Sequence, residues 1–174
     1  IRLQILVNQI KHHETKALSQ QYLDTYVKTV DGNFKRQLAA ALSYTKDKET
    51  LEALLKEWKN KDVVKPQDLA MSWYYNFLND DFTQGRTWTW ARENWDWVKG
   101  ALGGDMSFDK FVIYPASTFK TYERLAEYKA FFEPQLSDLA ISRNISMGIK
   151  EISARIDLID KEKAAVEAAI KATV

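Results

Sequence analysis

A chain of 174 residues, 45% hydrophobic and 13% aromatic, is long enough to bury a sizeable core, and its six Gly and three Pro exclude long disordered linkers. Its 25 basic and 24 acidic side chains leave a net charge of +1, without the basic excess of a nucleic-acid or membrane-surface specialist. No Cys is present, which excludes disulfides, thiol catalysis and Cys-ligated metals and fits a reducing, cytoplasmic setting.

No apolar run approaches the roughly 20 residues that span a bilayer, and no signal peptide is visible. The first residue is Ile1, from which we expect a segment of a longer protein. Over residues 1–11, Leu3, Leu6, Val7 and Ile10 recur at helical spacing. Ile1 and Ile5 fall on another arc, so we expect an exposed apolar edge that favours self-association of the isolated chain. Residues 14–29 predict a second helix, with Leu18, Tyr22 and Tyr26 on one row. Asp31-Gly32 is a turn signal, and Phe34, Leu38, Ala41 and Leu42 mark a third helix. Asp47 can cap a fourth, whose apolar face is Leu51, Leu54, Leu55 and Trp58. Pro66 suits a first helical position, and Leu69, Trp73 and Phe77 follow at four-residue steps. Asn79-Asp80-Asp81 breaks that helix.

Residues 87–104, TWTWARENWDWVKGALGG, hold four of the six tryptophans. Trp88, Ala91, Trp95, Val98 and Leu102 share one helical stripe, and Trp90, Asn94 and Trp97 form a flanking row. This predicts one helix in the middle of a core, stopped by Gly100, Gly103 and Gly104. Ser107 can cap the next helix, with Phe108, Phe111 and Val112 inside and a stop or kink at Pro115. Thr121 can cap another, burying Leu125, Tyr128 and Phe132. Beyond Pro134, residues 145–170 repeat an Ile stripe three and four apart, interrupted by Lys163 and expected to break near Gly148. A long closing helix lying along the others is expected, with a coiled coil as the alternative reading.

No segment alternates with period two, so no sheet is predicted. The reading is all-α: an irregular α-solenoid of stacked helix pairs, armadillo- or HEAT-like, forming a single domain over 1–174. Trp73, Trp88, Trp95, Phe111 and Phe132 are its expected structural core.

The string His12-His13-Glu14-Thr15-Lys16 invites comparison with the zinc-peptidase motif His-Glu-x-x-His, but position 17 is Ala. Two adjacent His on a helix point about 100° apart and cannot chelate one ion. The carboxylate pairs Asp80/Asp81, Glu93/Asp96 and Asp157/Asp160 sit beside basic residues on solvated faces. There is no phosphate loop and no Ser-His-Asp set. We therefore assign no catalytic or metal-binding residue, and no cofactor, to this chain.

Trp88-x-Trp90-x-x-x-Asn94-Trp95-Asp96 followed by Gly103-Gly104 resembles the C-terminal helical domain of zinc aminopeptidases of the aminopeptidase N family. Ser107-Phe108, Thr121, Phe131-Phe132, Thr45-Lys46-Asp47 with Leu54-Leu55, and the 145–156 tail continue the resemblance, which covers most of the chain from Tyr22 onward. Gly85-Arg86 lies closer to the tryptophan helix than the family's usual Gly-Arg, so no role is carried onto Arg86. The resemblance implies a non-catalytic domain that caps the active-site chamber of a larger enzyme. Its partners would be the catalytic domain of the same chain and the peptides that enzyme trims, and zinc would sit in that catalytic domain. A free-standing helical scaffold binding a protein partner is the alternative reading.

Overall fold

In the computed structural model, which describes residues 1–173, every regular element is helical. The chain groups into two compact units, one running Ile1–Phe111 and the other starting at Val112.

The first unit opens with α1 (Arg2–His13), α2 (Lys16–Lys28), α3 (Gly32–Leu42) and α4 (Lys48–Glu57). Short polar residues start three of them. Thr15 accepts from the Leu18 N–H, Asp31 from Asn33 and Phe34, and Asp47 from Thr50 at 2.7 Å. Asp31-Gly32 is thus a helix start rather than a free turn. Both α1 and α2 pack on α3, whose Leu38, Ala39, Ala41 and Leu42 are buried.

Pro66 opens a helical run in which α5 (Pro66–Asp68) and α6 (Tyr75–Asn79) flank a π-helical stretch, Leu69–Tyr74. The wider π turn lets Leu69, Ala70, Ser72, Trp73 and Tyr74 all face inward. Asp80 then caps α7 (Asp81–Glu93).

The tryptophan stretch is not one helix. α7 ends at Asn94, and α8 (Trp95–Leu102) begins directly after it. The Asn94 backbone sits at φ −112°, ψ 20°, and its side-chain amide donates to the Trp90 carbonyl at 2.8 Å, competing locally with helix continuation. The stripe survives the break: Trp88, Ala91, Trp95, Val98 and Leu102 are all buried. Gly100 lies inside α8 and stops nothing; Gly103 takes the C-cap.

Four of the indoles, Trp58, Trp73, Trp90 and Trp97, form one edge-to-face cluster. Trp58 lies 5.2 Å from Phe77, 5.0 Å from Trp90 and 6.5 Å from Trp73, and Trp73 lies 5.0 Å from Tyr26. Such pairs add about 0.5–1.5 kcal/mol each beyond the area they bury.

α9 (Lys110–Thr118) begins three residues after Ser107, and Asp105 shapes the turn before it by accepting from the Ser107 N–H at 2.7 Å. Pro115 does not stop α9. A proline lacks the N–H that would bond the carbonyl four residues back, here Phe111, and the Tyr74 hydroxyl reaches that carbonyl at 3.5 Å.

In the second unit, Thr121 caps α10 (Tyr122–Phe132), and α11 (Ser142–Thr173) runs unbroken past Gly148. Gly148 is there for closeness. A Cβ added to it would overlap the Tyr128 hydroxyl and come within 2.9 Å of the Ala116 Cβ. The Tyr128 hydroxyl donates to the Val112 carbonyl at 3.1 Å, and burial raises its pKa well above the usual tyrosine value. The Arg155 guanidinium closes the end of α9, donating to the carbonyls of Ala116 and Phe119 at 2.8 and 2.7 Å while Glu151 steadies it. Ile145, Ile152 and Ile156 are buried, but residues 157–172 of α11 are exposed, with Asp160 accepting from the Tyr122 hydroxyl of α10.

Candidate functional site

Several of the catalytic-looking side chains are committed to structure. His12 and His13 close α1, both exposed. Glu14, beside them, is the polar knot of the first unit. Its carboxylate accepts from the Ser19 hydroxyl at 3.0 Å, the Thr45 hydroxyl and the Lys46 N–H at 2.9 Å, tying the α1–α2 junction to the α3–α4 turn. The catalytic-looking string is therefore a latch between two turns.

The carboxylate pairs resolve in the same way. Asp80 caps α7 and holds the Lys46 ammonium through both oxygens at 2.7 and 2.8 Å. Glu93 pairs with Arg86 at 3.2 Å, and Asp160 accepts from the Tyr122 hydroxyl at 3.0 Å. Arg86 also meets Glu52 through two nitrogens, which raises its pKa further. Among the described residues no three His, Asp or Glu side chains gather as a metal site.

Three surface depressions lie in the first unit. One of about 280 Å³ separates α2 from α4, floored by Leu23, Ala53 and Leu54 and bridged at its rim by the Lys16–Glu49 ion pair. The Glu49 hydrogen bond and charge raise the Lys16 pKa. A second, of about 490 Å³, is lined by Lys11, His12, Lys16 and Lys46 around Glu14 and Asp47. Most of its cations are spoken for: Lys11 lies 4.2 Å over the Tyr44 ring, and Lys46 is on Asp80. A third, of about 340 Å³, runs between Leu3 and the Met71–Asn76 segment over α3. None of the three brings together a nucleophile, a base and an orienting group.

The tryptophans offer no open cage. Trp58, Trp73 and Trp88 are wholly buried, as are Phe111 and Phe132, and Trp95 is 7% exposed. Trp58 packs on Trp73, Phe111 on Tyr74, Trp95 on Phe108, and Phe132 on Tyr128 and Phe131. Burial also pushes the Tyr26 hydroxyl pKa up to about 12.

Some apolar side chains also stand open on the surface. Ile1 and Ile5 stand out from α1, and Leu158, Ile159, Val166 and Ile170 stand out from α11. The sequence pattern had pointed to the first pair. It gave no sign of where burial of the α11 stripe ends.

A sequence profile of the ERAP1-like C-terminal domain matches residues 1–154. The chain is 58% identical over 171 residues to aminopeptidase N of Lactococcus lactis subsp. lactis, a match covering 98% of this chain and 20% of that protein. It is 40% identical over 170 residues to aminopeptidase N of Lactobacillus helveticus, with the same coverage of both. Aminopeptidase M1-C of Oryza sativa subsp. japonica is 30% identical over 113 residues, 63% of this chain and 12% of the plant protein. The chain thus spans about a fifth of the length of the bacterial relatives it matches.

Proposed function

The chain belongs to the ERAP1-like C-terminal domain family, and from that premise we propose that it caps the active-site chamber of a longer zinc-dependent aminopeptidase that removes N-terminal residues from peptides. The observation that carries this is the nearly complete match of the chain to aminopeptidase N proteins of far greater length. The sealed aromatic core supports the same reading, because it suits a rigid wall better than a binding pocket.

In this reading the whole chain acts as one domain, and the catalytic domain of the same polypeptide is its partner. The zinc would be held by residues of the parent outside this chain, where it would activate water for attack on the scissile carbonyl. This chain's contribution is steric: helices that limit which peptides reach the metal. The Cys-free composition supports a cytoplasmic setting. The exposed Ile1 and Ile5 would be covered in the parent and sticky without it, so the isolated chain should self-associate and Ile5→Lys should reduce this in sedimentation.

The test is the parent enzyme with and without this chain, assayed on dipeptides, long peptides and a folded protein with a free N-terminus. The intact enzyme should prefer short substrates, and removal of the chain should erase that size discrimination. Unchanged discrimination overturns the capping role, and an intact parent that releases no N-terminal residues overturns the aminopeptidase reading.

A further inference from the structure

α11 is 32 residues long, yet only its first half is packed. Its stripe positions 145, 149, 152, 156, 159, 163, 166 and 170 keep one three-four spacing, apolar at every position but Lys163. Ile156 is 2% exposed, whereas Ile159, Val166 and Ile170 on the same stripe are 39%, 53% and 59% exposed. The projecting half is rich in Ala, Lys and Glu, strong helix formers that sustain a helix without a neighbour. Its stripe is therefore not required to keep it helical and is available for a contact.

We propose that residues 157–173 are a docking helix whose occupant is the remainder of the parent polypeptide, presenting an apolar groove with a basic rim. The proposal rests on the chain being part of a longer enzyme. Charge defines the occupant's chemistry. At 100° per residue the stripe is flanked by Glu162 on one side and by Asp160 and Glu167 on the other, with Lys163 in its middle. With Asp160 already held by the Tyr122 hydroxyl, the matching surface needs cations beside Glu162 and Glu167 and one acid opposite Lys163.

A second copy fits poorly. Paired helices would set Glu162, Glu167 and Asp160 against one another, whether parallel or antiparallel. The few part-exposed aliphatic side chains also offer far less than the ~800 Å² per partner of a stable free interface. Within one polypeptide the same small patch suffices, because the tether supplies the effective concentration. The family profile ends at residue 154, two positions before burial ends, but the match to the Lactococcus lactis protein takes in 171 of the 174 residues. The projecting half therefore has a counterpart in a full-length aminopeptidase.

Hydrogen exchange read by mass spectrometry tests this on the parent enzyme and on the 174-residue chain at several concentrations. Amides of 158–172 should exchange fast in the chain alone at every concentration and at least about tenfold slower in the parent. Val166→Asp in the parent should abolish that protection, while Ala168→Asp on the opposite face should leave it. Fast exchange in both proteins overturns the proposal. So does protection that appears in the isolated chain as its concentration rises, which would make a second copy the occupant. A parent that protects the helix but releases no N-terminal residues from peptides would sink the enzymatic reading and leave the docking intact.

Discussion

All six tryptophans fall in the unit that ends at Phe111, while the unit that starts at Val112 packs mainly isoleucine, phenylalanine and tyrosine. The first core is closed by geometry. Trp58, Trp73, Trp90 and Trp97 each meet another ring edge to face, so the cluster has a definite interior and a definite limit. The second is built on an aliphatic stripe along α11. Such a stripe has no intrinsic end, and it continues beyond the residues that cover it. An aromatic cluster specifies where a core stops; a periodic aliphatic face specifies only its direction.

The comparison is broken most directly at Trp58, which touches Trp73, Phe77 and Trp90. Trp58→Ala should cost about 3–5 kcal/mol, as large core truncations do. Because every indole is in the first unit, tryptophan fluorescence reports that unit, and urea titration followed this way measures the loss. A cost near 1 kcal/mol, the scale of a typical point substitution, would mean the cluster is not the closed core described.

In the second unit the tight point is Gly148. Gly148→Ala should destabilise by roughly 1–3 kcal/mol through overpacking against Tyr128 and Ala116. Tyr128→Phe alone loses the bond to the Val112 carbonyl, but in combination it removes the nearest of the three atoms the new methyl would strike. The double variant should therefore be more stable than the sum of the two losses predicts, by about 0.5 kcal/mol or more. Strict additivity in far-ultraviolet circular dichroism melts would show that α11 shifts instead.

Acid should act on the first unit's helix starts. Asp31 and Asp47 have pKa values below the ordinary carboxylate value, chiefly because the N–H groups of Phe34 and of Thr50 bond their charged forms. A depressed folded-state pKa means the charged form favours folding. The stability these groups lend is full above about pH 4, where unfolded Asp also ionises, and fades as pH falls through the lower folded values. Asp47→Asn should flatten the acid limb of stability against pH, and an unchanged limb would count against this assignment.

Much of the helical plan was readable from spacing. The stripes of α3, α4 and the tryptophan region land inward, and Asp47 and Thr121 cap as their positions suggest. The misses share a cause: periodicity averages over neighbours, and single hydrogen bonds do not. Asn94 splits a helix through one amide bond to Trp90. Pro115 passes within a helix because the carbonyl it leaves without its usual donor has Tyr74 nearby. The π turn at Leu69–Tyr74 is hidden because four-residue steps from Leu69 to Phe77 fit a plain α-helix as well. The docking stripe was visible as a pattern, but its exposure was not, since Ile156 and Ile159 look alike in sequence.

That likeness makes the two halves of α11 an internal control, and it yields the smallest expected effect. Ile152 and Val166 lie on the same stripe of the same helix, 14 residues apart. Ile152 is wholly buried, so Ile152→Ala should cost about 2–5 kcal/mol in the isolated chain. Val166 is 53% exposed with no core over it, and Ala is the better helix former, so Val166→Ala should stay within about 0.5 kcal/mol. Circular dichroism melts of the dilute chain compare the two directly. If Val166→Ala cost as much as Ile152→Ala under dilution, the second half of α11 would be covered within this chain. The stripe would then be core along its whole length, and no surface would remain for the parent to hold.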